Sequence, residues 1–301
     1  MYTIAHISDI HLQEKEEGNH KKKFESLLKD ISLHKCNHLV ITGDINNTGE
    51  LKDYKSIKIL LKKFGFFDSD KLTVTIGNHD IFGGAKKGDD VFLFPQTCKS
   101  INYNKRVYEF FKQFEKSFEK TELIDNKNIF PFYKLINDRI ALIGINSIAP
   151  WSMDRNPNAS NGHIDDYSFI KSEALLNSEV LKEKIKIILI HHHFSEPLKS
   201  ITNSAHNLWL YSERNTMKLH NKKRIFKLFK ETGVDLILHG HTHISDSYKL
   251  KGCLFVNSSG CIMPFTENKL CQYHIINFDF DTKMKRNKLT INKITLKDIE
   301  I

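Results

Sequence analysis

The sequence predicts an α/β fold with parallel strand pairing, and three observations carry that prediction. Short β-rich runs recur, each closing on polar residues: "TIAHISD" (3–9), "HLVITGD" (38–44) and "LTVTIGNHD" (72–80). The segments between them follow a 3.6-residue apolar period, at Phe24, Leu27, Leu28 and Ile31 and again at Tyr54, Ile57, Leu60, Leu61 and Phe64. The composition is that of a folded chain with ample core, 40% hydrophobic and 27% charged over 301 residues. Strand–helix–strand alternation implies βαβ units. Ligands of such sheets gather beyond the carboxyl ends of the strands, where all three polar clusters fall.

The rhythm breaks over 81–131. This stretch opens on Gly-rich "FGGAKKGDD" and continues into "RVYEFFKQFEKSF", a helix with Val107, Phe111, Phe114 and Phe118 on one face. It reads as an insertion over the mouth of a site, within a single domain spanning 1–301; an ordinary packing helix is the alternative. "FYKLI" (132–136) and "RIALIGINS" (139–147) form a hairpin about Asn137-Asp138. A loop over "SMDRNPNASNGHID" leads to a helix near 166–182, and "IKIILI" (185–190) is a buried strand that runs into "HHH". A helix about 217–232 passes through Gly233 into the strand "VDLILHGHTH" (234–243). The tail alternates as antiparallel strands.

Composition excludes several classes. The amino-terminal "MYTIAHISD" lacks the basic stretch and apolar run of a signal peptide, and no apolar segment approaches bilayer length. Five cysteines (36, 98, 253, 261 and 271) form no CxxC pair and read as reduced thiols in a cytoplasmic protein. Net charge is +9, yet only six of the 45 basic residues are Arg. Planar phosphate recognition prefers Arg, so the charge argues against nucleic acid as a partner.

Five strand ends carry candidate ligands: Asp9 and His11, Asp44, Asn78 and His79, the triple His191–193, and His241 with His243. Each pattern alone is weak; together they can converge on one rim. Two divalent cations held side by side need one carboxylate that bridges both, and Asp44, following Gly43 with no ligand beside it, suits that role. Asp9 with His11, and His241 with His243, are each two apart, so a strand ending aims both side chains at one ion. Asn78 then serves as a neutral oxygen ligand. Imidazole, carboxylate and amide without thiolate fit Mn, Fe or Zn better than Ca or Mg.

These motifs, "DIH", "GD", "GNHD", "HHH" and "GHTH" in order, resemble the calcineurin-like metallophosphoesterase superfamily over residues 9–243. The resemblance implies a four-layer α/β/β/α sandwich of two mixed sheets with a dinuclear centre. It places Asp9, His11, Asp44 and His243 on one metal, and Asp44, Asn78, His241 and a histidine of the triple on the other. That histidine is His192 in this reading, with His191 as the alternative. A proline commonly follows the ligand by two positions in the family, and Phe194 stands there instead. Two adjacent strand residues do not face one metal. The resemblance makes His79 the catalytic histidine and Asp80 the residue that orients it.

The implied activity is hydrolysis of a small phosphodiester by metal-bound hydroxide, with His79 stabilising or protonating the leaving group. Residues 217–243 look most like the bacterial cyclic-nucleotide phosphodiesterase branch. The alternatives are a hydrolase of a nucleotide-linked pyrophosphate, with or without a lipid, the lipid-bearing form hinted at by Phe92, Leu93 and Phe94; a nuclease; and a metal-bound interaction scaffold.

Overall fold

Strand parity explains how the layers form. In the computed structural model, alternate residues of β7 (Ile185–Leu189) face opposite ways, so that Ile185, Ile187 and Leu189 enter one apolar cluster and Ile188 another. The structure describes residues 1–13, 19–84, 90–125, 128–194, 217–258, 271–281 and 286–296. Two sheets result. The first has the order β12-β11-β1-β2-β3, built from β1 (Tyr2–Ile7), β2 (His38–Thr42), β3 (Leu72–Thr75), β11 (Gln272–Asp281) and β12 (Arg286–Thr295). The second has the order β4-β5-β6-β7-β8-β10-β9, with β4 (Glu122–Asp125), β5 (Asn128–Leu135), β6 (Ile140–Gly144), β8 (Leu236–His239), β9 (Asp246–Leu250) and β10 (Cys253–Asn257).

Both sheets are mixed. β1, β2 and β3 run parallel, while β11 joins β1 antiparallel. β6, β7, β8 and β10 are parallel, flanked by antiparallel β5 and β9. The tail is therefore not antiparallel throughout: β10 pairs with β8 in parallel, its crossover passing through β9.

Ile4, Val40, Ile276 and Phe278 of the first sheet meet Leu142, Ile187, Leu238 and Val256 of the second in an apolar layer between the sheets. On the first sheet's outer face pack α1 (Asn19–Leu33) and α2 (Asp53–Lys63), through Phe24, Leu28, Ile57 and Leu61. On the second sheet's outer face lie α7 (Asp166–Leu176) and α8 (Lys222–Glu231), through Phe169, Leu176, Ile225 and Phe229. That is the expected α/β/β/α sandwich.

After the short α3 (Asn78–Phe82), the 81–131 stretch forms α4 (Asp90–Ser100), α5 (Tyr103–Gln113) and α6 (Glu115–Phe118). Phe110, Phe114 and Phe118 are buried in the first outer core, and the Tyr54 and Phe114 rings meet edge-on at 5.5 Å. Burying each such ring contributes about 1.5–3 kcal/mol, so this part of the stretch is a packing element. Leu93 is exposed and Phe94 packs against the core; the side chain of Phe92 lies outside the described residues.

Cys36, Cys98 and Cys253 are free and buried, as expected of reduced thiols. Cys271 is disulfide-bonded, which corrects that expectation at this position; Cys261 lies outside the described residues. Among the described residues, no helix is long and apolar enough to cross a membrane.

Candidate metal centre

The loops after β1 and β2 fasten to each other first. Asp9 N donates to Gly43 O, His11 N to Asp44 O and Leu12 N to Ile45 O, at 3.0–3.2 Å. Asp9, His11 and Asp44 sit in the left-handed region, with φ of 53°, 49° and 50°. His241 and His243, after β8, do the same at 74° and 54°. A non-glycine residue there costs roughly 1–3 kcal/mol and persists only where its surroundings hold it. Here they do: the His241 amide donates to both oxygens of Asp9 at 3.0 Å, tying the two sheets together.

Around Asp44 two sets of side chains assemble. Asp9, His11, Asp44 and His243 offer ligand atoms within 4.8 Å of one another, and Asp44, His191 and His241 do the same. Asp44 belongs to both. His11 Nε2 and His243 Nε2 approach to 3.2 Å in the first set. In the second, His191 Nε2 lies 3.3 Å from Asp44 Oδ2, 3.1 Å from Asn78 Oδ1 and 3.0 Å from His241 Nδ1.

The chemistry of these donors fits divalent cations. His191 Nδ1 donates to Thr42 O at 2.8 Å, so in the neutral ring Nε2 carries a lone pair. It faces a carboxylate oxygen, an amide oxygen and another ring nitrogen. Asp9 and Asp44 are buried, and the ion-pair partners around them are all histidines. Buried carboxylates among imidazoles require positive charge. The same demand shows on His191: burial, the largest influence, opposes its charge, yet Asp44, Asp9 and the Thr42 carbonyl together push the imidazole up to about 9.

His191, not His192, joins the second set. Residues 185, 187 and 189 face the other sheet, and 191 continues that parity to meet Asp44 across the rim. The adjacent His192 turns away, its Nδ1 2.7 Å from Ser147 Oγ and its Nε2 3.1 Å from Ser160 O. His193 stacks beside His241 at 6.0 Å and joins neither set.

Asp80 also stands apart from its expected role. Its Oδ1 accepts from Ile45 N, Asn46 N and Tyr54 Oη at 3.0–3.1 Å, and its Oδ2 accepts from Gly77 N at 2.9 Å. It clamps the Asp44 loop to the start of α3, and its bonds go to these groups rather than to the His79 ring. Burial, then the Asp44 charge, push the carboxyl up to about 7, against the pull of its donors. The clamp brings the backbone so close that a Cβ on Gly77 would stand 2.1 Å from Asp44 Oδ1. That approach is the physical need for glycine in "GNHD".

His79 is oriented by Asn47 instead. Its amide donates to Asp44 Oδ1 at 2.8 Å, and its Nδ1 lies 3.0 Å from Asn47 Oδ1. The ring meets His11 edge-on at 4.4 Å, beside the first set. Burial lowers its pKa, with Asp44 acting against that. Asn47 was not legible as a functional residue, because it sits in an aperiodic loop. Thr42 acts through its carbonyl, which leaves no mark in a sequence at all.

Residues 2–245 match the sequence pattern of the calcineurin-like phosphoesterase family. The chain belongs to that family. Membership carries the reaction class: a metallophosphoesterase, a hydrolase of phosphoric esters. A probable cyclic nucleotide phosphodiesterase of Vesicomyosocius okutanii subsp. Calyptogena okutanii (strain HA) is 21% identical over 295 residues, covering 97% of each chain. Among solved structures, a dimetal phosphatase from Danio rerio superposes with a TM-score of 0.64 at 11% identity, covering 98% of both chains. A purple acid phosphatase from yellow lupin (Lupinus luteus) seeds gives a TM-score of 0.57 at 11% identity, covering 98% of this chain and 51% of its own. At these identities the two structures share the fold of this calcineurin-like phosphoesterase.

Proposed function

We propose that this metallophosphoesterase hydrolyses a small phosphodiester of the cyclic-nucleotide kind, using two divalent ions of Mn, Fe or Zn. Asp9, His11, Asp44 and His243 would hold one; Asp44, Asn78, His191 and His241 the other. The observation that carries this reading is Asp44, shared by two sets of lone-pair donors of which all but the half-buried His243 are buried. When bound, the ions supply Lewis acidity and a nucleophile available at neutral pH.

The chain's own residues do the rest. Asp9 and Asp44 hold the two sets of imidazoles at one rim. His79, whose Nδ1–H donates to Asn47 Oδ1, turns Nε2 to the leaving oxygen; the imidazolium stabilises the charge that develops there and delivers its Nε2 proton to it. Two dications against two carboxylates leave a positive site that welcomes an anionic ester. A dianionic monoester gains ground-state binding from that charge without a lower barrier, so the site favours the monoanionic diester. The 21% identical phosphodiesterase supports the same choice.

The test is a hydrolysis panel with Mn²⁺-loaded protein. It compares an aryl phosphodiester, the matching monoester, a 3′,5′-cyclic nucleotide, a nucleoside diphosphate sugar and single-stranded DNA. We expect higher kcat/KM for the diester than for the monoester, with the cyclic nucleotide first among the natural compounds. A preference for the monoester overturns the diester reading and leaves the two ligand sets standing.

A further inference from the structure

Three consecutive histidines end β7, and the second ligand set uses only His191. His192 is fully buried with both ring nitrogens committed. Ser160 O can only accept, so Nε2 carries the proton and donates to it at 3.1 Å. Nδ1 is then the acceptor, and the Ser147 hydroxyl donates to it at 2.7 Å. The same hydroxyl oxygen accepts the His192 amide at 3.3 Å. No lone pair of this ring is left for an ion.

The ring is also enclosed. A Cβ on Gly162 would stand 2.6 Å from its Cγ and 2.7 Å from its Nδ1, so the backbone of 162 lies flat against it. Ser147 follows β6, Ser160 and Gly162 lie in the loop before α7, and a bridge between Ile148 and Gly162 joins the two. His241 packs on the same ring, with centroids 4.4 Å apart. The His241 backbone is tied to Asp9, and its ring, lying on His192, turns Nδ1 towards His191 at 3.0 Å.

The geometry points to His192 as a positioning residue: a ring locked by Ser147, Ser160 and Gly162 on which the imidazole of His241 rests, setting that ligand's aim at the second ion. This rests on the two-ion reading above. It adds that the loop between β6 and α7 tunes the second site without touching it. Residues that orient metal ligands typically contribute about 10–100-fold to affinity.

The experiment is titration of metal-free protein with Mn²⁺, read by calorimetry and by the spin-coupled electron paramagnetic resonance signal of a filled pair. Wild type binding two ions checks the underlying reading; fewer than two sinks that reading first. His192→Leu keeps the bulk and removes both bonds. It should weaken the second ion about 10–100-fold, leave the first unchanged and shift the spectrum towards isolated Mn²⁺. His192→Gln, whose amide can accept from Ser147 and donate to Ser160 O, should recover most of the affinity. If His192→Leu fails to fold, Gly162→Ala displaces the same ring without removing a polar group and should show the same selective loss. The inference is overturned if both ions bind His192→Leu (or, in its place, Gly162→Ala) as they bind wild type, if both weaken equally, or if Gln is no better than Leu.

Discussion

Replacing Asp80 by Asn separates a structural clamp from a catalytic orienter. Four donors converge on the carboxylate, three on Oδ1 and the Gly77 amide on Oδ2. The amide of Asp80→Asn keeps an oxygen for the first three but sets its NH₂ against the Gly77 N–H, leaving a buried donor unpaired at about 1–3 kcal/mol. The three remaining bonds lose charge assistance, roughly halving their strength. Removing a buried charge, and with it the repulsion from Asp44, returns part of this, since burial and then Asp44 push Asp80 up. The net is about 2–4 kcal/mol, or a fall of roughly 4–8 °C in Tm at ~2 °C per kcal/mol for a chain this long. Thermal unfolding of metal-free wild type and Asp80→Asn measures that loss, and a pH–rate profile of the loaded enzymes accompanies it. Because Asn47, not Asp80, holds the His79 ring, the acid limb should keep its midpoint. An unchanged Tm with a displaced acid limb would refute the clamp and restore Asp80 as the partner of His79.

Two further perturbations bear on separate parts of the structure. His79→Ala removes a group assigned to the leaving oxygen and to no ion, so turnover on an aryl diester should fall about 10²–10³-fold with metal content and Tm unchanged; loss of metal would make His79 a ligand. His38 is neutral between Asp70 O and Thr73 Oγ1, and burial lowers it to about 3. Unfolded, it titrates near ~6.5, so between those values the unfolded chain binds the extra proton and stability falls as pH falls, by up to ~1.4 kcal/mol per pH unit. Chemical denaturation of metal-free protein from pH 6 to 4 should show a shallower fall for His38→Asn; parallel curves would contradict the assignment.

The βαβ order and the polar strand ends were legible because period and position are properties of the chain itself. "DIH", "GD", "GNH" and "GHTH" each follow an apolar strand, and in a parallel arrangement those ends have one place to go. The choice between His191 and His192 was harder, because it turns on parity relative to the sheet opposite. Residues 185, 187 and 189 carry that parity, but which face looks to the first sheet is a tertiary fact. Asp80 misled for a related reason: adjacency to His79 suggested a partnership, whereas the first turn of α3 sends the two side chains to different neighbours. Asn47, Ser147 and Ser160 act through loops with no period to read. The parallel pairing of β10 with β8 was hidden because β9 intervenes, and local alternation in the tail describes only its hairpins.

If one carboxylate serves both ions, removing its charge in Asp44→Asn reaches both sites at once. Mn²⁺ binding isotherms of metal-free wild type and variant should show two ions per chain in wild type, with both weakened together in Asp44→Asn, while Asp9→Asn weakens mainly one. A single ion in wild type, or an Asp44→Asn variant that loses one ion and holds the other at full affinity, would contradict the shared bridge.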